Sequence, residues 1–463
     1  MTKVLTQVSA PGKVLLTGGY LVLDQRFRGL VVSVDARFQV KITDVNNSDG
    51  KWIVESPQFT NGSWSYKVSE DGIESLGDRN KFVEITLRLV LQYLVSSGLK
   101  GLESLPDIKI EILGDNDFYS QAEYLQFNSL PSTLKSLSII PKFNSVGCTL
   151  SAVHKTGLGS SAAMVASLVF ALLTHFNSKS AAVNFDTYQA ERLAQVCHCV
   201  AQGKIGSGFD ISAAVHGTHS YRRFNPSIIK DALERNHSDA KFLFLEHDLT
   251  LFKSIQSNWD SEHLTFNLPD AFVLQLGDVN FGSNTPSMVS KVLAWRSENK
   301  DECERIWNQL NEFNESVTEC FQLLNKIHAT DHSYYSEMIS MVASQTYTQW
   351  VEETSNIHVL IVKLHDTFVN IRKLLRELGN RTDVPIEPEE QRELLDACMQ
   401  QPGVVMAGVP GAGGYDALFC ICIGETSRTA LIDFWNKSSW KITPLLCSQS
   451  QYGIKIESEV NKL

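Results

Sequence analysis

The stretch Lys155-Thr-Gly-Leu-Gly-Ser-Ser-Ala-Ala163 carries the strongest indication of the fold. It follows residues 146–153, whose pattern predicts a strand, and it opens a run of small and apolar residues that predicts a buried helix over 160–176. Gly157 and Gly159 allow a tight turn that exposes N–H groups at the positive end of the helix dipole. Such a turn between a strand and a helix suits a chain of phosphate groups.

Two serines at the start of this helix have two interpretations. The hydroxyl groups of Ser160 and Ser161 could bind phosphate oxygens or a magnesium ion. They could instead cap the helix, because serine is common at the N-cap position.

Two better-known phosphate loops fit less well. No G-x-x-x-x-G-K-[ST] string, the pattern of a Walker A loop, occurs in the chain. The dinucleotide fingerprint is matched by Gly157, Gly159 and Ala162, with Asp186 about 20 residues further on. That match is weak by itself, and the neighbouring motifs argue against it.

Three further glycine-containing motifs accompany the phosphate loop. The string Ser9-Ala-Pro-Gly-Lys-Val-Leu-Leu-Thr-Gly-Gly-Tyr20 places Lys13 between a Pro-Gly turn and a strand. In Gly206-Ser-Gly-Phe-Asp210 a carboxylate follows a flexible turn and opens a helix. The third, Gly408-Val-Pro-Gly-Ala-Gly-Gly-Tyr-Asp416, has the glycine density of a backbone that approaches a ligand or another loop. The plainer alternatives are a solvated lysine and an N-cap aspartate.

Composition and charge limit the classes of protein to which the chain can belong. Its 463 residues predict two or three domains, or one unit of two lobes. Lys and Arg number 41 against 52 Asp and Glu, a net charge of −11, so we expect no nucleic-acid partner. The apolar stretch 162–173 is too short to span a bilayer and no signal peptide opens the chain, so we expect a soluble protein without a membrane partner.

Cysteine and histidine spacing predicts no metal cage. The chain has nine cysteines and twelve histidines but no C-x-x-C or H-E-x-x-H string. The Cys197/Cys199 and Cys420/Cys422 pairs lie in apolar surroundings, so we expect buried, reduced thiols.

Hydrophobic spacing predicts a mixed α+β chain. The predicted strands are 13–16, 30–34, 38–42 and 417–423, with hairpins or a surface excursion over 46–78. The predicted helices are 80–97, 186–201 and most of 285–378. Residues 114–145 read as an irregular insertion, and the polar stretch 225–262 as the boundary between lobes.

The order of these motifs resembles that of the GHMP kinases, which phosphorylate galactose, homoserine, mevalonate and phosphomevalonate. The match runs from residue 9 to residue 420. Within this family, the chain resembles the eukaryotic-type phosphomevalonate kinases in four strings: Ser9 to Tyr20, Gln202-Gly-Lys-Ile-Gly-Ser-Gly-Phe-Asp210, Tyr221-Arg-Arg-Phe224 and Ala407 to Asp416. Mevalonate and galactose kinases typically have Gly-Glu-His where this chain has Gly18-Gly19-Tyr20, which favours the phosphomevalonate branch.

The resemblance implies a GHMP kinase fold of two lobes with the substrates between them. The N-terminal lobe, over 1–225, would be of the ribosomal S5 domain 2 type, with a left-handed βαβ unit. A connecting region over 226–262 would lead to a ferredoxin-like C-terminal lobe over 263–463.

The resemblance also implies roles for individual residues. The ATP phosphates would be held by Lys155, Gly157, Leu158, Gly159, Ser160, Ser161 and Ala162, with Ser161 as a magnesium ligand. Lys13 and Asp210 would be catalytic, and Lys204, Ser207, Gly411 and Gly413 would line the substrate site. Related kinases often place a second magnesium ligand, a glutamate, where this chain has Cys199. Either Glu191 replaces it, or phosphates, Ser161 and water hold the ion.

A phosphate acceptor changes the chemistry that the site must perform. The second pKa of a phosphate monoester is about 6, so the acceptor is already anionic near neutral pH. Asp210 would then align Lys13 or the acceptor rather than act as an obligatory base. Two anions must be brought together, and Arg222 and Arg223 could offset their repulsion, because guanidinium groups bind phosphate bidentately. Their alternative is a solvated pair at a strand edge.

The sequence therefore predicts an ATP- and magnesium-dependent phosphomevalonate kinase of the mevalonate pathway of isoprenoid biosynthesis. One alternative is a GHMP kinase with an alcohol acceptor, such as mevalonate kinase, and another is a sensor that binds ligands without transfer. The expected location is cytoplasmic. A peroxisomal location is the weaker alternative, because Asn461-Lys462-Leu463 departs from the Ser-Lys-Leu signal at its first residue.

Overall fold

The computed structural model describes residues 5–45, 49–69, 72–99, 105–178, 185–236, 249–279, 285–415 and 417–458. The strands are β1 (Leu5–Thr17), β2 (Arg28–Asp44), β3 (Lys51–Glu55), β4 (Ser63–Ser69), β5 (Gly72–Ser75), β6 (Ile108–Gly114), β7 (His219–Arg222), β8 (Glu262–Thr265), β9 (Phe272–Asp278), β10 (Val404–Gly408), β11 (Ala417–Ile423), β12 (Thr443–Pro444), β13 (Gln449–Ser450) and β14 (Lys455–Ser458).

The helices are α1 (Lys81–Ser96), α2 (Ala122–Phe127), α3 (Leu134–Ser138), α4 (Ser160–Asn177), α5 (Thr187–Gln202), α6 (Phe209–His216), α7 (Lys230–Arg235), α8 (Thr250–Gln256), α9 (Thr285–Glu298), α10 (Lys300–Thr330), α11 (His332–Ser344), α12 (Tyr347–Trp350), α13 (Asn356–Thr382), α14 (Glu389–Met399) and α15 (Gly424–Lys437). Short 3₁₀ helices occur at Leu21–Leu23, Asn116–Phe118 and Pro226–Ile229.

A ten-stranded sheet organises the first part of the chain, in the order β14-β1-β2-β6-β3-β4-β5, with β13 and β7 also paired to β2 and β8 paired to β7. Among the strand pairs that the structure describes in this sheet, only β3–β6 is parallel. The two longest strands, β1 and β2, pair along almost their whole length, from Leu5 opposite Thr43 to Thr17 opposite Leu30. The chain therefore returns to this sheet at its end, through β13 and β14.

The sequence analysis predicted a Pro-Gly turn before Lys13, and that prediction is wrong. Pro11 and Gly12 lie inside β1, and the register with β2 shifts between Pro11 and Lys13. Such an irregularity re-aims the following side chain, and here that side chain is Lys13. Similarly, the strands predicted over 30–34 and 38–42 form the single strand β2, because no strand end separates them.

Helices α1, α4 and α6 pack on the large sheet, and α5 packs on these three helices. Helix α4 is apolar on nearly every face, and it packs on β1 and β2 on one side and on the other helices on the other. By length and composition this one described helix could cross a membrane, but 72% of it is buried inside the protein, as expected for a core helix.

A second, four-stranded antiparallel sheet has the order β10-β11-β9-β12. Every residue of β11 is buried, since α15 and α11 pack against this strand and α13 and α14 pack against its neighbour β10. The long helices α10 and α13 pack on each other, which confirms the predicted helical region.

Two other local predictions differ from the structure. Residues 146–153 are irregular, so the phosphate loop follows a loop rather than a strand. The stretch 114–145 contains α2 and α3. By contrast, the hairpins predicted over 46–78 are confirmed, since β3 pairs with β4 and β4 with β5 in antiparallel register. Within the polar stretch, α7 and α8 pack on α5, so the described residues of the connecting region lie against the first layer. The lobe boundaries stay a prediction.

Candidate active site

The N-termini of α4 and α6 lack a capping side chain, and each follows a glycine in the left-handed conformation. Gly159 precedes α4 with φ of 78°, and Gly208 precedes α6 with φ of 84°. By contrast, the start of α5 is closed by the side chain of Asp186 in a capping box. Because no side chain occupies the first N–H groups of α4, they are available to an anion, and the dipole favours negative charge there.

The serines of the phosphate loop are therefore not caps. The N-cap position is Gly159, so Ser160 and Ser161 are the first two helical residues. Asp210 is likewise the second residue of α6, beyond the Gly208 N-cap. Its Oδ1 accepts a hydrogen bond of 3.0 Å from the Ile211 N–H.

Lys13 lies against the phosphate loop. Its backbone N–H donates to the Leu158 carbonyl at 2.9 Å, and its Nζ donates to the Gly157 carbonyl at 2.9 Å. The Nζ also lies 5.3 Å from the centre of the Phe209 ring, in the first turn of α6. The ammonium group thus sits between the uncapped ends of α4 and α6.

Lys13 and Asp210 interact electrostatically. Loss of hydration lowers the pKa of Lys13, and the negative charge of Asp210 acts in the opposite direction. The structure therefore brings together the two residues that the family resemblance implies to be catalytic, and it places both beside the predicted phosphate loop.

A buried histidine that the sequence analysis did not single out connects the loop to Asp210. The Nε2 of His198 lies 3.1 Å from the Ser161 Oγ, and its Nδ1 lies 3.8 Å from the Asp210 Oδ2. Burial lowers the pKa of His198, with Asp210 opposing that shift, so the ring favours the neutral form. In the sequence, His198 could have been noticed only by its place in the helix predicted over 186–201, twelve residues before Asp210.

The turn that carries Asp210 is held by three side chains. Its carbonyl groups at Gly206, Ser207 and Gly208 accept hydrogen bonds from Arg223 at 2.7 Å, Tyr221 at 2.9 Å and Gln195 at 2.8 Å, respectively. A side chain could not replace the hydrogen of Gly208, because a Cβ there would lie 2.8 Å from the Tyr221 hydroxyl. This turn is therefore held tightly in one conformation.

The two arginines of Tyr221-Arg-Arg-Phe224 differ in their surroundings. Arg223 is buried, and besides Gly206 it donates to the Leu23 carbonyl at 2.7 Å. The Arg222 side chain is 24% exposed and pairs with Glu262, which also pairs with Arg28. Arg28 lines a cavity of about 450 Å³ between the large sheet and α10.

The late glycine loop contacts the Gly18-Gly19-Tyr20 segment. The Tyr20 hydroxyl donates to the Ala412 carbonyl at 2.9 Å, and a Cβ at Gly19 would lie 3.1 Å from the Gly411 carbonyl oxygen. Tyr20 itself adopts φ of 62°, which is unusual for a tyrosine. The second sheet thus approaches the end of β1 directly.

The remaining predicted site residues lie around this cluster. Gly413 packs closely, because a Cβ there would lie 2.1 Å from the Ile386 carbonyl oxygen, whereas Gly411 has open space around it. Lys204 is half-buried at the Gly203 turn, and Lys155 is exposed at the start of the phosphate loop.

The proposed replacement of the missing magnesium ligand by Glu191 is wrong for this structure. Glu191 is buried and its carboxylate contacts His216 and His263 instead, two helical turns from His198 on α5. Cys199 does not replace it either, since burial raises the pKa of its thiol to about 11 and thiols suit magnesium poorly. The Ser161 hydroxyl, in the first turn of α4, stays the predicted magnesium ligand.

The comparisons with known proteins agree with this geometry. The profile described as "GHMP kinases N terminal domain" matches residues 134–218, and "GHMP kinases C terminal" matches residues 361–441. A peroxisomal phosphomevalonate kinase of Arabidopsis thaliana is 35% identical, over 97% of this chain and 95% of that protein. A phosphomevalonate kinase of Aspergillus fumigatus is 36% identical, over 89% of this chain and 86% of that protein.

Solved structures share the fold. The phosphomevalonate kinase of Streptococcus pneumoniae, in complex with phosphomevalonate and AMPPNP, superimposes with a TM-score of 0.62 at 16% identity, covering 97% of this chain and all of that one. The mevalonate kinase of L. major, in complex with R-mevalonate, has a TM-score of 0.54 at 13% identity, covering 96% of each chain. The sequence relatives and the shared architecture together show that the chain belongs to the GHMP kinase family, among the phosphomevalonate kinases of eukaryotic type.

Proposed function

We propose that this chain transfers the γ-phosphoryl group of ATP to the phosphate of 5-phosphomevalonate, giving ADP and 5-diphosphomevalonate. The observation that carries this function is the meeting of Lys13, the uncapped start of α4 and Asp210 in a chain related to phosphomevalonate kinases over almost its whole length.

ATP binds through its phosphates at the N-terminus of α4. The N–H groups of Ser160, Ser161 and Ala162 have no capping side chain and offer a preorganised set of donors. Lys155 stands at the entrance of this loop and adds a cation for the phosphate chain.

Lys13 stabilises the transferring phosphoryl group. Catalysis of phosphoryl transfer rests on positioning and on charge stabilisation, since charge spreads over the oxygens of the γ-phosphoryl group. The hydrogen bond to Gly157 holds the ammonium group beside the loop, so its position depends little on movement during the reaction. Asp210 opposes the effect of burial on Lys13 and thereby favours its charged form.

Asp210 aligns the acceptor and Lys13. The acceptor phosphate carries most of its second charge near neutral pH, because its second pKa is about 6. A nucleophile that is already anionic needs little proton abstraction, so the carboxylate has an electrostatic and positioning role.

A magnesium ion fits the oxygen ligands at this site, and Ser161 is the residue that would hold it, together with phosphate oxygens and water. When bound, the ion would neutralise charge on the ATP phosphates. His198 contacts the Ser161 hydroxyl at 3.1 Å and so fixes its direction.

The acceptor site lies between the Asp210 turn and the late glycine loop. This region is bordered by Lys204, Ser207, Gly411 and Gly413. The guanidinium group of Arg222 pairs with Glu262, and it can release that carboxylate to bind the acceptor phosphate. Arg223 supports the site by holding the Gly206 carbonyl.

We place the protein in the cytoplasm, with peroxisomes as the alternative because of its Arabidopsis relative. Residues 461–463 lie outside the described residues.

A panel of acceptors tests this function. Purified protein is assayed for ADP release with 5-phosphomevalonate, mevalonate, galactose and homoserine, and the product is identified by phosphorus NMR. We expect turnover with 5-phosphomevalonate alone and a diphosphate signal in the product, both lost in Lys13→Met. Preferred turnover of mevalonate would establish an alcohol acceptor, and ligand binding without turnover would establish a sensor.

A further inference from the structure

Three potential metal ligands converge away from the phosphate loop. Glu191 on α5, His216 at the end of α6 and His263 on β8 place one carboxylate and two imidazole groups together, with their ligand atoms all within 4.8 Å of one another. The residues are 25 and 47 positions apart along the chain, so no sequence motif marks them.

The geometry of this cluster, hereafter the Glu191 cluster, is that of an open ligand set. The Glu191 Oε2 lies 2.9 Å from the His216 Nε2, and its Oε1 lies 3.3 Å from the His263 Nε2. Separations of about 3–3.5 Å are those between neighbouring ligands of a tetrahedral ion with bonds of about 2.0–2.2 Å. Both ring nitrogens therefore face the same carboxylate.

The ring of His263 has a buried nitrogen without a well-aligned hydrogen bond among the described residues. This atom is Nε2, and its contact with the Glu191 carboxylate at 3.3 Å does not have hydrogen-bond geometry. The ring centre of His263 lies 4.2 Å from that of His216, so protonating both rings would place two like charges in close contact. A shared cation would instead use a lone pair from each ring.

His219 and Tyr188 also lie beside the cluster. His219 is not a ligand, because its ring nitrogens contact the Ser212 hydroxyl and the Gly217 carbonyl, each at 2.8 Å. The exposed ring of Tyr188 lies 5.6 Å from that of His216.

We propose that the Glu191 cluster is a binding site for a divalent transition-metal ion, with Zn²⁺ as the best match to two imidazole nitrogens, one carboxylate and a water molecule. Magnesium is a poor match, since it prefers oxygen ligands. The proposed ion links α5, α6 and β8, and α6 is the helix that begins beside Asp210. The proposed metal site is thus structural, and binding of the ion does not depend on the phosphate acceptor.

Zinc affinity tests the proposal. Chelator-treated protein is titrated with Zn²⁺ in competition with a chromophoric chelator, without nucleotide or magnesium. We expect one ion per chain, and at least about tenfold weaker binding in Glu191→Gln, His216→Ala and His263→Ala. His332→Ala is the matched control, because it removes an exposed histidine from the His328–His332 pair on the helices of the second part of the chain.

Cobalt provides a second readout that does not depend on stability. Co²⁺ in a four-coordinate nitrogen and oxygen site gives visible absorption, which we expect in the wild type and in His332→Ala but not in His263→Ala. Circular dichroism of each variant verifies the fold. If His263→Ala does not fold, His263→Asn takes its place. The proposal is overturned if the wild type binds no zinc, if affinity is unchanged in Glu191→Gln and His263→Ala, or if only His332→Ala loses binding.

Discussion

The ammonium group of Lys13 donates a hydrogen bond of 2.9 Å to the carbonyl oxygen of Gly157, 144 residues away in the chain. This contact joins the cation that we propose to be catalytic to the backbone of the phosphate loop. We therefore expect a change in the shape of the loop to change the position of Lys13.

Gly159 and Gly157 provide a matched pair of substitutions. Both have positive φ, but a Cβ at Gly159 would lie 2.8 Å from the Lys13 Cε, whereas one at Gly157 would meet no atom within 4 Å. Both alanine variants carry the backbone cost of about 1–2 kcal/mol. We expect Gly159→Ala to lower kcat/KM for ATP at least about a hundredfold by displacing Lys13, and the larger Gly159→Val to abolish ATP binding. Similar kinetics for Gly157→Ala and Gly159→Ala would show that strain alone matters.

The roles of Lys13 and Asp210 can be separated by pH. Lys13→Met should lower kcat by about a hundredfold or more, because it removes the cation from the transferring phosphoryl group. Asp210→Asn should retain measurable activity. The pH profile of kcat should show an acidic limb near about 6 in both the wild type and Asp210→Asn, since the acceptor dianion is the reactive species. Loss of that limb with nearly all activity in Asp210→Asn would restore the general-base role.

Ser161 and His198 should act together on the magnesium requirement. Ser161→Ala removes the hydroxyl that we assign to the ion, and His198→Gln removes the ring that orients it at 3.1 Å. We expect both variants to need about tenfold more Mg²⁺ for half-maximal kcat at fixed ATP. Ser167→Ala, on the same helix, is the control, because its hydroxyl donates within the helix, to the Ala163 carbonyl at 2.8 Å and the Met164 carbonyl at 3.0 Å. An unchanged Mg²⁺ dependence in Ser161→Ala would show that the Ser161 hydroxyl does not bind the magnesium ion.

The adjacent arginines should separate into a binding and a supporting residue. Arg222→Ala should raise the KM for phosphomevalonate about ten- to a hundredfold with little change in the KM for ATP, and Arg222→Lys should recover only part. Arg223→Ala should destabilise the fold by about 3 kcal/mol, because it leaves the Leu23 and Gly206 carbonyls without their partner. Urea unfolding measures the second effect, and equal loss of stability in both variants would contradict the distinction.

Stability should fall in mild acid because of His219. Burial lowers the pKa of His219 to about 3, against an ordinary value of about 6.5. Below pH 6.5 the His219 ring therefore binds a proton in the unfolded chain but stays neutral in the folded protein. The free energy of unfolding should fall by about 2 kcal/mol between pH 6.5 and pH 5 for this reason. Urea unfolding at the two pH values should show this loss in the wild type and a smaller one in His219→Gln. Parallel pH dependence in both proteins would assign the loss to other groups.

The phosphate loop shows how much the sequence could predict. Glycine spacing and the apolar run after Ser160 are local properties of the chain, and helix α4 and its uncapped start follow from them. The family resemblance then placed Lys13 and Asp210 in the same site. By contrast, the bulge at Pro11 and the fusion of two predicted strands into β2 depend on pairing with distant strands, which local pattern does not encode.

The amino-acid sequence by itself determined the class of enzyme, the phosphate loop and the residues that meet around it, because these are written in short motifs of fixed order. Only the tertiary structure decided that His198 connects Ser161 to Asp210, that Arg223 holds a turn while Arg222 pairs with Glu262, and that Glu191 meets two histidines. The physical reason is that these contacts join residues on different elements, so they exist only where the packing of helices on the sheet brings those elements together.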